Sequence, residues 1–98
     1  MPELHVVAVI CAKEGKEKEV RQDLIAVTDA SRKEDGNVRY DLFADRNDPR
    51  RFVINEHWRD EPAQDRHHNE SDHIHHFHEH GDRNVESREA VYFLEKIV

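Results

Sequence analysis

Seven of the nine histidines of this sequence lie between His67 and His80. Imidazole is the side chain that most readily takes up a proton near neutral pH. His67 and His73 are therefore the candidates for a general base. Glu56 stands two residues before Trp58, and in an extended segment the two share a face. A carboxylate there could orient a histidine or accept a proton. Trp58 offers a flat apolar surface for a ring to stack on, and the Tyr40 hydroxyl could donate to an oxyanion. Plainer roles compete with each of these: a capping or surface histidine, a core tryptophan, a tyrosine on a sheet surface, or Glu56 in an ion pair with Arg39 or Arg51. Cys11 is expected to be inert core, because no cation lies near it in sequence to lower its pKa.

At 100° per residue, His73, His76 and His80 fall within an arc of about 60° on one helix. Three imidazoles in a stripe could take Zn²⁺, Ni²⁺ or Cu²⁺. One helix rarely brings three ligands to one ion, and a dedicated site also needs outer partners. The expectation is a solvated face that picks up metal adventitiously, with no dedicated metal or cofactor.

The elements that position these groups follow from periodicity. Leu4 to Ala12 is a short run of β-branched and apolar residues between polar flanks, which reads as a central strand. Gly15 breaks it. From Lys16 to about Lys33, Val20, Leu24 and Val27 recur at helical spacing, with Glu17, Lys18 and Arg21 toward water. Asp35-Gly36-Asn37 is a helix stop. Val38, Tyr40, Leu42 and Ala44 alternate with Arg39, Asp41, Phe43 and Asp45 as a strand. The segment 45–50 is a turn by composition. Phe52, Ile54, Glu56 and Trp58 then form one face of a third strand, with Val53, Asn55, His57 and Arg59 on the other, completing a hairpin.

Asp60 is a plausible N-cap, with Pro62 in the first turn, for a short helix to about His68. Ser71 would cap a second that ends at Gly81, with Ile74 and Phe77 facing the core together. Residues 82–88 read as irregular, and Val91, Phe93 and Ile97 as a last strand with Tyr92 and Leu94 opposite. The order is β-α-β-β-α-β, an α+β ferredoxin-like arrangement: one four-stranded antiparallel sheet with helices on one face. The other face is left bare and apolar, which calls for a second copy of the chain.

Length and composition agree with one domain over residues 1–98. Acidic residues number 22 against 15 basic ones, a net charge of -7, so nucleic acid is not an expected partner. A single cysteine allows no internal disulfide and fits a cytoplasmic protein. The first residues lack a signal-peptide pattern, and no stretch is long and apolar enough to span a membrane.

With these elements placed, the chain resembles the antibiotic biosynthesis monooxygenase (ABM) family of dimeric α+β barrels. The resemblance rests on Val6-Val7-Ala8-Val9-Ile10 followed by Gly15, on Gly36-Asn37-Val38-Arg39-Tyr40-Asp41-Leu42, and most on the run Asp48 to Trp58. His67, Ser71-Asp72-His73-Ile74 and Phe77 complete it. It implies a homodimer whose pocket lies between sheet and helices. It also implies oxygenation of a small aromatic or quinol-like molecule without metal or flavin. His67 or His73 would be the base, Glu56 a polar partner, and Trp58, Tyr40, Ile74 and Phe77 the substrate contacts. Two branches of the family depart from this chain. The haem-degrading branch carries an Asn near the position of Ala8, although His68 would fit its histidine. A polyketide-oxygenase branch carries an Asn where Ile54 stands. The rival readings are an isomerase or tautomerase of a small carbonyl compound, which needs the same base and oxyanion donor, and a non-enzymatic dimer that binds a small molecule or metal.

Overall fold

The computed structural model describes residues 2–98. Its elements are β1 (Leu4–Ala12), α1 (Glu17–Ser31), β2 (Asn37–Ala44), β3 (Arg51–Trp58), α2 (Glu61–Glu70), α3 (Asp72–His76) and β4 (Val85–Leu94). A π-helical turn over Phe77–Gly81 and a 3₁₀ turn over Asp82–Asn84 link α3 to β4. The strands form one antiparallel sheet in the order β2-β3-β1-β4, with the helices on one side. This is the expected ferredoxin-like α+β arrangement.

The period-two pattern of β3 carries over directly. Phe52, Ile54, Glu56 and Trp58 are all buried, because their side of the sheet faces the helices. Pairing aligns Tyr40 and Val6 with Glu56, and Leu42 and Ala8 with Ile54. Strand pairing thus collects Val6, Ala8, Tyr40, Ile54 and Glu56 beneath the helical layer. α1 closes over this surface with Val20, Leu24 and Val27, each buried, in the stripe their spacing requires.

Four local expectations are corrected. Val38 does not share the inner face with Tyr40: a register shift between Asn37 and Arg39 turns it outward, where it is exposed. Residues 85–88 are strand rather than irregular. They pair with β1 along an edge whose side chains stay largely exposed, so no burial pattern marks them. Ile97 lies beyond the strand and is exposed. Ser71 does not cap α3 through its side chain; its hydroxyl donates to Glu34 Oε2 at 2.7 Å. Asp60 does cap α2, accepting from the Ala63 N–H at 2.9 Å.

Gly36 sets where α2 docks. Its φ is +87°, and a Cβ there would come within 2.5 Å of the Ala63 Cβ. Gly36→Ala must adopt a left-handed backbone, at roughly 1–2 kcal/mol, and also push α2 away. We expect a loss of about 2 kcal/mol. For a domain of this size that lowers Tm by roughly 10 °C, readable by differential scanning calorimetry. An unchanged Tm would mean that α2 does not depend on this close approach.

Candidate active site

A cavity of about 160 Å³ lies between the sheet and the helical layer. Its floor includes Val6, Ala8 and Ile54, and Leu24, Ile74 and Phe77 bound it from the helices. Tyr40, Glu56 and His67 are among the polar groups on its wall. Val91 and Phe93 of β4 also line it. Both are about half exposed, at 48% and 61%, so the cavity opens along this edge. His68 lines it as well and is exposed. Val6, Ala8 and Ile54 make this floor apolar.

His67 is held from two sides. Its Nδ1–H donates to Glu34 Oε1 at 2.7 Å. This leaves Nε2 as the lone-pair nitrogen, facing Glu56 Oε1 at 3.9 Å. The ring packs against Trp58 at 4.7 Å between centroids and near Tyr40 at 5.6 Å. Burial holds the His67 pKa below its ordinary value, against the pull of the Glu34 carboxylate. His67 is therefore a neutral, oriented imidazole at neutral pH.

Glu56 is buried at the centre of the sheet and accepts from Trp58 Nε1–H at 2.8 Å. Burial pushes its carboxyl up to about 7, the Trp58 hydrogen bond opposes this, and the Glu34 charge adds to it. Near neutrality Glu56 is thus a mixture of acid and carboxylate. It pairs with neither arginine proposed for it: Arg39 binds Asp41, and Arg51 binds Asp45, Asp48 and Glu89. Both arginines act elsewhere because their side chains leave the sheet on its outer face or rim. Tyr40 is buried and its pKa is raised, first by burial and then by the Glu56 charge. It keeps its proton and can only act as a neutral hydroxyl.

The remaining expected residues fall into two groups. Ile74 and Phe77 line the cavity with Tyr40, Glu56 and His67. Trp58 and His73 do not. Trp58 has no exposed surface; it sits behind Glu56 and His67 and holds them, because the end of β3 lies beneath α2. His73 faces a separate cleft of about 330 Å³ between α1 and α3, with His76 and His80. The helical stripe does not converge there: among the described residues, the cluster of three donors suited to a metal is Glu34, His67 and His73. His76 instead packs on His80, with ring centroids 4.5 Å apart. Cys11 is buried as expected, but a cation does lie beside it, with Arg50 Nη2 at 3.4 Å.

Glu34 was not foreseen from the sequence. It lies in the turn between α1 and β2, and its carboxylate takes His67 Nδ1, Ser71 Oγ and His73 Nε2, the last at 2.8 Å. Burial alone would raise its pKa. The hydrogen bonds from His67 and Ser71, with the charges of His67 and His73, outweigh that and lower it.

Comparison with known proteins agrees with this architecture. A family model described as "Antibiotic biosynthesis monooxygenase" matches residues 4–80. The solved structure of PA3566 from Pseudomonas aeruginosa is 30% identical, covers 100% of this chain and 97% of its own, and superposes with a TM-score of 0.93. That of SO0527 from Shewanella oneidensis is also 30% identical, covering 95% and 91%, with a TM-score of 0.86. A structure described as an antibiotic biosynthesis monooxygenase is 25% identical, covering 97% and 99%, with a TM-score of 0.89. No curated protein matches the chain.

Proposed function

The chain belongs to the antibiotic biosynthesis monooxygenase family, and from that premise we propose that it oxidises a small phenol or quinol with O₂, using His67 as the base. One observation carries this reading: an oriented, neutral His67 on the wall of an apolar cavity, with its Nε2 directed at a carboxyl near its midpoint of titration.

The chemistry follows from these groups. His67 Nε2 takes the phenolic proton, and Glu34 steadies the imidazolium that results. The phenolate is electron-rich enough to pass electrons to O₂, and a C–O bond forms at the ring. One oxygen atom stays on the product as a quinone carbonyl. The other leaves as water, with protons that came from the substrate and pass through His67 and Glu56. Substrate plus O₂ therefore balances quinone plus water, and no further reductant enters. A cavity of about 160 Å³ matches a single substituted ring. Its apolar floor lowers the local dielectric beside the phenolate, which strengthens each polar contact there.

The homodimer is part of the same proposal. On the side of the sheet away from the helices, Phe43, Tyr92 and Leu94 are exposed at 49%, 57% and 42%. A hollow of about 560 Å³ lies on this face. A second copy packed there would remove it from water. Light scattering should give twice the chain mass.

The test is oxygen uptake by chelator-treated protein over a panel of catechols, hydroquinones and phenols. Uptake above the spontaneous rate, with quinone formed one for one with O₂ consumed, is the expected result. Substrate turnover that continues without oxygen would replace this reading with a carbonyl isomerase using the same base. Tight binding with no turnover of any kind would leave a binding protein.

A further inference from the structure

We propose that Glu34, His67 and His73 form a binding site for one divalent transition-metal ion of the Zn²⁺ class, which shares only His73 with the surface histidine stripe. Their ligand atoms, Glu34 Oε1, His67 Nδ1 and His73 Nε2, lie within 4.8 Å of one another. Two nitrogens and one carboxylate oxygen are a donor set for Zn²⁺, Ni²⁺, Cu²⁺ or Fe²⁺, and a poor one for Mg²⁺ or Ca²⁺.

The three donors come from three separate elements: the turn after α1, α2 and α3. This is what lets them converge where the stripe does not. Glu34 Oε1 is 2.7 Å from His67 Nδ1 and 2.8 Å from His73 Nε2. Ligands on a tetrahedral Zn²⁺, with bonds near 2.0–2.1 Å, stand about 3.3 Å apart. An ion replacing the two ring protons therefore needs the group to open by about half an ångström. His73, with a side chain 22% exposed, has room to give that.

The surroundings also suit a metal. Ser71 Oγ holds the second carboxylate oxygen of Glu34 at 2.7 Å, which leaves Oε1 for the ion. Ser31 Oγ is 3.1 Å from His73 Nε2, close enough for it, or a water it holds, to take the fourth position. Nε2 of His67 is 3.9 Å from the Glu56 carboxyl, too far for a direct hydrogen bond, so the Glu34 and Ser71 contacts are what hold the group. The cleft that His73 lines reaches the group from the side of its most exposed histidine. An ion on Nδ1 places the remaining ring proton on Nε2, so an occupied site and a basic His67 exclude each other. That consequence rests on the oxidative reading; the site itself does not.

The test reads metal directly and needs no substrate. Untagged, chelator-stripped full chain is titrated with Co²⁺, following its visible absorption, and Zn²⁺ is then used as competitor. The expected result is one equivalent of Co²⁺ per chain with a four- or five-coordinate spectrum, displaced by Zn²⁺. Glu34→Gln and His73→Ala should each weaken binding at least tenfold, while the His76→Ala/His80→Ala double variant binds as the parent does. His73→Ala removes a partly exposed ligand, so it stays informative if Glu34→Gln does not fold; circular dichroism checks both. The proposal is overturned if no stoichiometric binding occurs. It is equally overturned if the double variant loses the ion while Glu34→Gln and His73→Ala keep it.

Discussion

Replacing His67 with Gln is expected to lower kcat on a phenolic or quinol substrate by at least about 10²-fold, the lower end of what a positioned general base supplies. Gln fills nearly the same space and can still donate to Glu34, but it cannot take a proton. The loss should therefore fall on kcat rather than KM, because the cavity walls are unchanged. A urea unfolding midpoint close to that of the parent separates this from a folding defect. Glu34→Gln should act in the same direction with a smaller effect, since the amide still contacts Nδ1 but no longer stabilises the imidazolium. A His67→Gln variant within threefold of the parent rate would remove His67 from the chemistry. Attention would then move to Glu56, the other proton acceptor on the cavity wall.

Truncating Trp58 is expected to have the largest effect on stability. Its side chain is wholly buried, and Trp→Ala in such a setting costs roughly 3–5 kcal/mol. Its N–H is also the hydrogen-bond donor to Glu56, so the truncation leaves a buried carboxyl without that partner, at a further 1–3 kcal/mol or so. Folded proteins have only about 5–15 kcal/mol in total. Trp58→Ala should therefore be largely unfolded at room temperature, while Trp58→Phe keeps most of the packing and loses mainly the hydrogen bond. Far-UV circular dichroism and urea titrations decide this. A stable, folded Trp58→Ala would mean that the core beneath α2 closes without it.

The same carboxyl makes stability depend on pH. Burial raises the folded pKa of Glu56 from 4.5 to about 7. Below pH 4.5 it is protonated in both the folded and unfolded states and adds nothing. Between pH 4.5 and 7 the unfolded chain releases the proton and the folded chain keeps it, so stability falls as pH rises, by about 3 kcal/mol at most. His67, whose folded pKa is lowered, acts in the opposite sense, losing stability as pH falls. Glu34, Tyr40 and Trp58 also face Glu56 and are common to parent and variant. Glu56→Gln keeps an oxygen for Trp58 and should gain stability relative to the parent between pH 5 and pH 8. Parallel curves for the two proteins would show that Glu56 ionises freely in the folded state.

The sequence by itself determined the elements whose burial imposes a period. Phe52, Ile54, Glu56 and Trp58 could be read as one inward face because every second residue of β3 is covered by helices. Val20, Leu24 and Val27 marked the inner stripe of α1, and Asp60 the start of α2, for equally local reasons. A bare sheet face could likewise be inferred from apolar residues on both sides of the strands.

Only the tertiary structure decided what those elements bring together. Glu34 is 33 positions from His67 and sits in a turn without a hydrophobic pattern. Nothing local distinguishes it from the other acidic residues; it matters because α2 and α3 dock over the end of α1. His73 keeps its place in the histidine stripe, but its Nε2 also reaches Glu34 at 2.8 Å, a contact that helical spacing cannot foretell. The backbone also passes from α-helix to a π-helical turn at Phe77, yet His76 and His80 stay packed together beside the cleft that His73 lines. β4 begins earlier than its composition suggests, because an edge strand is held by backbone pairing to β1 and needs little side-chain burial to form. Periodicity reports which face of an element is covered. It carries no information about which side chain from a distant element meets it there.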